Sequence, residues 1–157
     1  MRYTERYLET LKKVTERLDF CDELKNKTFL VTGATGMIGS AFVDMLLYLN
    51  QEKELNLRVF AAARNVDRAR KRFGGSWGSD ELQIVLSRAD ERIQAEIRPD
   101  YIVHCAGNAH PSVYAEQPVE TLMTNIQGIY GLLDFARDTD SVKRILYVSS
   151  SEVYGQM

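Results

Sequence analysis

Three glycines at three-residue spacing carry the strongest chemical signal in the chain. Gly33, Gly36 and Gly39 directly follow the apolar, β-branched run Thr28-Phe29-Leu30-Val31-Thr32 and open a segment with helical periodicity. In a strand-turn-helix junction of this kind Gly33 permits the tight turn. Gly36 lets main chain approach a pyrophosphate with no Cβ in the way, and Gly39 lets the helix pack closely on the strand. The free N–H groups at the helix start, around Thr35, Met37 and Ile38, then face the phosphates with the positive end of the helix dipole behind them. The chemistry implied is dinucleotide binding. A P-loop is disfavoured because no Gly-Lys-Ser/Thr follows.

The next chemical question is the ribose. An acidic residue at the end of the second strand reads the ribose hydroxyls of NAD. Here that strand, Arg58-Val59-Phe60-Ala61-Ala62-Ala63, runs straight into Arg64-Asn65, and Arg68 and Arg70 follow. A guanidinium at Arg64 suits a 2′-phosphate and stacks on adenine, so the reading leans to NADP over NAD. The alternatives are NAD bound without that carboxylate, with Arg64 an exposed loop residue, and an acid supplied by Asp67. Further on, the small residues Cys105, Ala106 and Gly107 would let backbone lie against a ribose or a nicotinamide. Asn125 falls in a long helical segment. Ser149-Ser150-Ser151-Glu152 follows the fifth strand; alone, its hydroxyls read as a strand-end turn capping backbone. Cys105 reads as a small buried apolar residue rather than a nucleophile. His104 and His110 have no partners at ligand spacing, so no metal is expected.

These residues need a scaffold. Strands are expected at 28–32, 58–63, 82–86, 101–105 and 144–148, and helices at 37–50, 66–73, 90–97 and 118–138. Gly74 to Ser79 reads as a loop. Alternating β and α units imply an α/β fold, a doubly wound parallel sheet in three layers. Residues 1–27 read as an extra helical extension, because Tyr3, Tyr7, Leu8, Leu11, Val14 and Leu18 recur at three- and four-residue spacing; it would serve as a packing or dimer element. Residues 28–157 then form the nucleotide-binding domain. With 157 residues, 20 Lys+Arg against 22 Asp+Glu and a net charge of −2, the chain lacks the basic excess of a nucleic-acid binder. Two Cys without a C-x-x-C exclude a disulfide scaffold and a four-thiolate zinc site. The apolar run from Ala41 to Leu49 is too short for a membrane span and is broken by Asp44. The expectation is a soluble, cytoplasmic domain that binds neither membrane nor nucleic acid.

Taken together, Thr32-Gly33-x-x-Gly36-x-x-Gly39, His104-Cys105-Ala106-Gly107, Thr124-Asn125-Ile126-x-Gly128 and Ser149-Ser150-Ser151-Glu152-Val153-Tyr154-Gly155 resemble the extended short-chain dehydrogenase/reductase family, over residues 28 to 157. The likeness is to its nucleotide-sugar epimerases, dehydratases and decarboxylases, with a Rossmann-type fold. It implies that the hydroxyl at Ser150 hydrogen-bonds the sugar oxygen being oxidised, that Ser151 and Glu152 occupy the positions that separate subclasses, and that Glu152 acts on C5 or C6. It also implies Asn125 as an orienting residue. Ser150-Ser151-Glu152 is closest to the decarboxylase pattern and to some sugar dehydratases. Ala109-His110-Pro111-x-x-Tyr114-x-x-x-Pro118 is loosely decarboxylase-like. The implied reaction oxidises a C4 hydroxyl, exploits the acidity that the 4-ketone confers on C5, and returns the hydride.

The family's Tyr-x-x-x-Lys pair does not occur: none of the eight Tyr is followed four residues later by Lys. The resemblance therefore implies the N-terminal, cofactor-binding half of a longer enzyme, truncated before that pair and before the substrate domain. Such a piece is expected to be inactive alone, to act on a nucleotide-sugar substrate only in the full-length parent, and to self-associate as a homodimer through exposed apolar surface. The competing readings are a non-catalytic NADP-sensing module of the same fold and a reductase of the same superfamily.

Overall fold

The structure is a computed structural model and describes residues 3–74, 80–88, 91–107 and 111–155. The β-branched and apolar runs form five parallel strands: β1 (Thr28–Thr32), β2 (Arg58–Ala63), β3 (Leu82–Leu86), β4 (Tyr101–His104) and β5 (Arg144–Tyr147). Their order across the sheet is β3-β2-β1-β4-β5. The chain leaves β1 in one direction for β2 and β3 and in the other for β4 and β5. The crevice between the carboxyl ends of β1 and β4 is therefore the topological switch point, where doubly wound sheets bind ligands.

Helices cover both faces. On one face lie α1 (Glu5–Thr15), α2 (Met37–Lys53) and α3 (Val66–Phe73). The core beneath α2 and α3 joins Val43, Leu46, Leu47, Ala69 and Phe73 to Phe29, Val31, Val59, Ala61 and Val103. The other face carries α5 (Pro118–Arg137), preceded by the short α4 (Pro111–Glu116). Here Leu132 and Phe135 pack on Leu30, Ala62 and Ile102. These are the three layers expected of the fold.

Two elements differ from expectation. Residues 91–97, expected in a helix spanning 90–97, are irregular. The segment Ile93-Gln94-Ala95-Glu96-Ile97 alternates apolar and polar residues, and Ile93, Ala95 and Ile97 all pack into the second core. Gln94 and Glu96 are exposed between them, so burial alternates along a segment laid against α5. Arg92 holds it there through ion pairs to Asp134 at 3.1 Å and Asp138 at 2.7 Å. The short α4 was not expected; Pro111 at its first position has the φ and missing N–H that a helix start tolerates. Residues 75–79 of the expected loop, and Ala109 and His110, lie outside the described residues.

The N-terminal extension forms α1, capped by Thr4, whose hydroxyl accepts the Tyr7 N–H, and then a 3₁₀ turn over Cys21–Leu24. Its buried line is Leu11 and Thr15, with Tyr3 and Tyr7 half-buried; Leu8 and Val14 face outward. Both tyrosine hydroxyls donate to the Asp44 carboxylate of α2, Tyr7 at 2.8 Å. Arg72 of α3 pairs with the same carboxylate and also lies over the Tyr3 ring.

Candidate dinucleotide cleft

The glycine turn is built as its spacing requires. Gly33 takes φ +63°, a left-handed conformation that side-chain-bearing residues rarely adopt, and a Cβ there would lie 2.6 Å from the Cys105 carbonyl oxygen. Turn and β4 loop are thus in direct backbone contact. A Cβ on Gly39 would lie 2.4 Å from the Gly33 carbonyl oxygen, so its close packing is on the turn itself rather than on the strand. Gly36 is the opposite case: the site of its missing Cβ is open apart from the Gly33 oxygen at 3.2 Å. Gly36 is also the N-cap of α2, and no side chain caps that helix. The first turn of a 17-residue helix therefore presents amides without a side-chain acceptor. Met37 and Ile38 of that turn are exposed.

This corner opens into a cleft of about 700 Å³ along the carboxyl rim of the sheet. Gly33, Thr35, Gly36, Arg64, Cys105, Ala106 and Gly107, all expected at such a site, line it. Gly39 is buried behind the turn, and Met37 and Ile38 are not among the lining residues. Arg64 and Arg68 stand at the β2 side beside Ala63, with no carboxylate at the strand end. Asn65 caps α3 by accepting the Arg68 N–H at 2.8 Å, which fixes where that helix starts. Asp67 lies in the first turn of α3, not at the strand end, and pairs with Arg70 at 3.8 Å. Together the glycine cradle, the open helix terminus and the two arginines fit a dinucleotide.

On the far side, Asn125 is half-buried in α5, and its Oδ1 lies 3.0 Å from where a Cβ on Gly107 would be. The Asn125 amide thus sits against the β4 loop, and its neighbour Thr124 lines the cleft. Ser149 and Ser150 follow β5 on the same rim and are exposed. Ser151–Tyr154 forms a 3₁₀ turn; the side chains of Ser151 and Glu152 lie outside the described residues. Burial pushes the Cys105 thiol up, so it stays protonated and is a poor nucleophile. Burial also pushes the His104 imidazole down and keeps it neutral. Among the described residues no group of His, Cys, Asp and Glu is arranged to hold a metal, and both cysteines are free.

Leu86, Ser87, Arg88 and Glu91 also line the cleft and were not singled out from the sequence. Leu86 and Ser87 sit at and just beyond the carboxyl end of β3, so the rule that parallel strands present ligands at that end would have found them.

The pattern of the NAD dependent epimerase/dehydratase family matches residues 29–157. UDP-glucuronic acid decarboxylase 1 of Danio rerio is 31% identical over 137 residues, covering 87% of this chain and 30% of that protein. dTDP-glucose 4,6-dehydratase of Neisseria gonorrhoeae is 29% identical, covering 83% of this chain and 40% of that protein. Among solved structures, DesIV, the dTDP-glucose 4,6-dehydratase of Streptomyces venezuelae with NAD and TYD bound, superposes with a TM-score of 0.68 at 30% identity. That match covers 83% of this chain and 41% of DesIV. The chain thus spans 30% to 40% of the length of these curated relatives.

Proposed function

Because the chain belongs to the NAD dependent epimerase/dehydratase family, we propose that its cleft binds a nicotinamide dinucleotide as the cofactor-binding part of an enzyme that modifies a nucleotide sugar through a 4-keto intermediate. Dehydration, decarboxylation and epimerisation all pass through such a species. The observation that carries this reading is the uncapped α2 terminus behind an open Gly36, at the switch point of the sheet. A bound nicotinamide supplies reversible hydride acceptance. The chain's own residues do the rest. Gly33, Thr35 and Gly36, with the amides of Met37, Ile38 and Gly39, hold the pyrophosphate; Cys105, Ala106 and Gly107 offer backbone to the nicotinamide side. Asn125 braces that loop. Ser150 orients the sugar hydroxyl for proton removal, Glu152 acts at C5 or C6, and Ser151 stands beside them at a position that separates subclasses.

Arg64 and Arg68 beside an acid-free strand end support NADP over NAD. A 2′-phosphate paired with Arg64 gains a charge-assisted hydrogen bond, which predicts NADPH binding about tenfold or more tighter than NADH. Titration of nicotinamide fluorescence measures both, and Arg64→Ala should erase the difference. Equal affinities in the wild-type chain would remove the NADP assignment; no binding of either would remove the cleft reading.

A homodimer fits the surface of α5. Val119, Leu122, Ile126, Tyr130 and Leu133 are exposed at three- and four-residue steps, a seam of the kind that pairs helices. Sedimentation should find a dimer that Ile126→Glu with Tyr130→Glu converts to monomer; a dimer surviving both changes is held elsewhere. Among the described residues no helix is long and apolar enough to cross a membrane. That and the two free cysteines fit a cytoplasmic setting.

A further inference from the structure

Thr32, His104 and Tyr147 are the last residues of β1, β4 and β5, and they are in register: Thr32 pairs with His104, and His104 with Tyr147. Each is followed by a segment of the cleft or its rim. Gly33 comes after Thr32, Cys105 to Gly107 after His104, and Val148 to Ser150 after Tyr147. Thr32 and His104 are 5% and 3% exposed. Their side chains meet, Thr32 Oγ1 to His104 Nδ1, at 2.7 Å. The imidazole stacks on the Tyr147 ring with centroids 5.5 Å apart and planes 23° apart. Backbone bonds run parallel to these contacts: Cys105 N–H donates to Thr32 O at 3.2 Å and Val148 N–H to His104 O at 3.0 Å. Neither side chain is needed to explain how the core is filled, since the apolar residues Leu30, Ile102 and Ile145 already do that one step below on the same face. A buried hydrogen-bonded polar pair at this level fixes one arrangement of its neighbours, because any other leaves a polar atom unpaired.

We propose that Thr32 and His104 are positioning residues of the cleft. Their hydrogen bond sets the spacing between the Gly33 turn and the Cys105–Gly107 loop, and the stack on Tyr147 carries the same register to Ser149 and Ser150. The spacing matters because turn and loop are already in contact, with no room for a single Cβ on Gly33. A shift at the β1–β4 rim therefore moves the phosphate cradle against the loop that offers backbone to the nicotinamide side. The inference rests on the cleft being a dinucleotide site.

The test is a double-mutant cycle on the chain, read by nicotinamide fluorescence with NADPH and NADH, with circular dichroism as the check on folding. Thr32→Val keeps the shape and deletes the hydroxyl; His104→Phe keeps a ring on Tyr147 and deletes the nitrogen. Each single change should weaken binding about tenfold, as loss of one buried hydrogen bond does. The double change should weaken it about tenfold as well, not about a hundredfold, because both remove the same bond. Thr32→Ser should restore near-wild-type affinity, and the imidazole ¹⁵N shifts of His104 should change in Thr32→Val and return in Thr32→Ser. Additive losses, a Thr32→Ser variant as weak as Thr32→Val, or unchanged affinity in folded Thr32→Val would each overturn the assignment while leaving the dinucleotide reading intact. Failure of the wild-type chain to bind either dinucleotide would overturn both.

Discussion

Gly36→Val is expected to lower nicotinamide-dinucleotide affinity by at least about a hundredfold while the fold stays intact. The backbone at Gly36 is extended, φ −75° and ψ 173°, a conformation valine adopts without strain. Its Cβ would touch the Gly33 oxygen at 3.2 Å and otherwise point into open space, which is where the pyrophosphate must lie against the first amides of α2. Two isopropyl methyl groups there block those amides. Losing two or more charge-assisted hydrogen bonds, each worth about 1.5–3 kcal/mol, accounts for a hundredfold or greater effect. Calorimetric titration with NADPH reads the loss, and thermal unfolding followed by circular dichroism should stay close to wild type. Undiminished binding would mean that the corner does not hold the diphosphate. Gly33→Val and Gly39→Val should behave differently, losing the fold along with binding, because both would drive a side chain into backbone.

A large effect on stability that leaves the cleft untouched is expected at Asp44. Its carboxylate is fully buried in α2 and is met by Tyr3, just before α1, by Tyr7 of α1 and by Arg72 of α3. Burial and the bond to Asp44 push the Tyr7 hydroxyl up to about 12, so it remains a donor across the whole working pH range. Asp44→Ala leaves Arg72, whose side chain is only 22% exposed, beside two phenols with no acid to pair. Breaking a buried pair from one side costs about 3–5 kcal/mol, and the partial exposure of Arg72 puts the expectation near about 3 kcal/mol. That is a large share of the ~5–15 kcal/mol that holds a typical domain together. Urea unfolding of wild type, Asp44→Ala and Tyr7→Phe measures it, with Tyr7→Phe costing about 1 kcal/mol. An Asp44→Ala variant within about 1 kcal/mol of wild type would show that α1 is not fastened through this carboxylate.

Asp44 also marks the limit of what a linear reading carries. In the sequence it is an acid interrupting the apolar run from Ala41 to Leu49. Its partners lie 28 to 41 residues away, on or just before helices whose docking no local pattern announces. The segment Ile93 to Ile97 shows the same limit from another side. Its alternation is visible in the sequence, but a short apolar pattern is ambiguous between states, and contact with α5 settled it. Leu8 and Val14 were on the apolar face by spacing, yet the docking of α1 chose Leu11, Thr15 and the two tyrosines.

The chain's own order of residues determined the five strands, the glycine turn at the start of α2, the small residues of the β4 loop and the guanidiniums after β2. Each of these depends on dihedral freedom, periodicity or cap chemistry within a few consecutive residues. The tertiary structure alone decided that turn, loop, Arg64, Arg68 and Thr124 share one cleft with Asn125 set against its loop, that Thr32 meets His104 across 72 positions of sequence, and that Asp44 fastens the N-terminal helix. Those pairings follow from strand order and helix docking. Both are fixed by burying two separate apolar faces at once, a condition on the whole chain that no short window of residues contains.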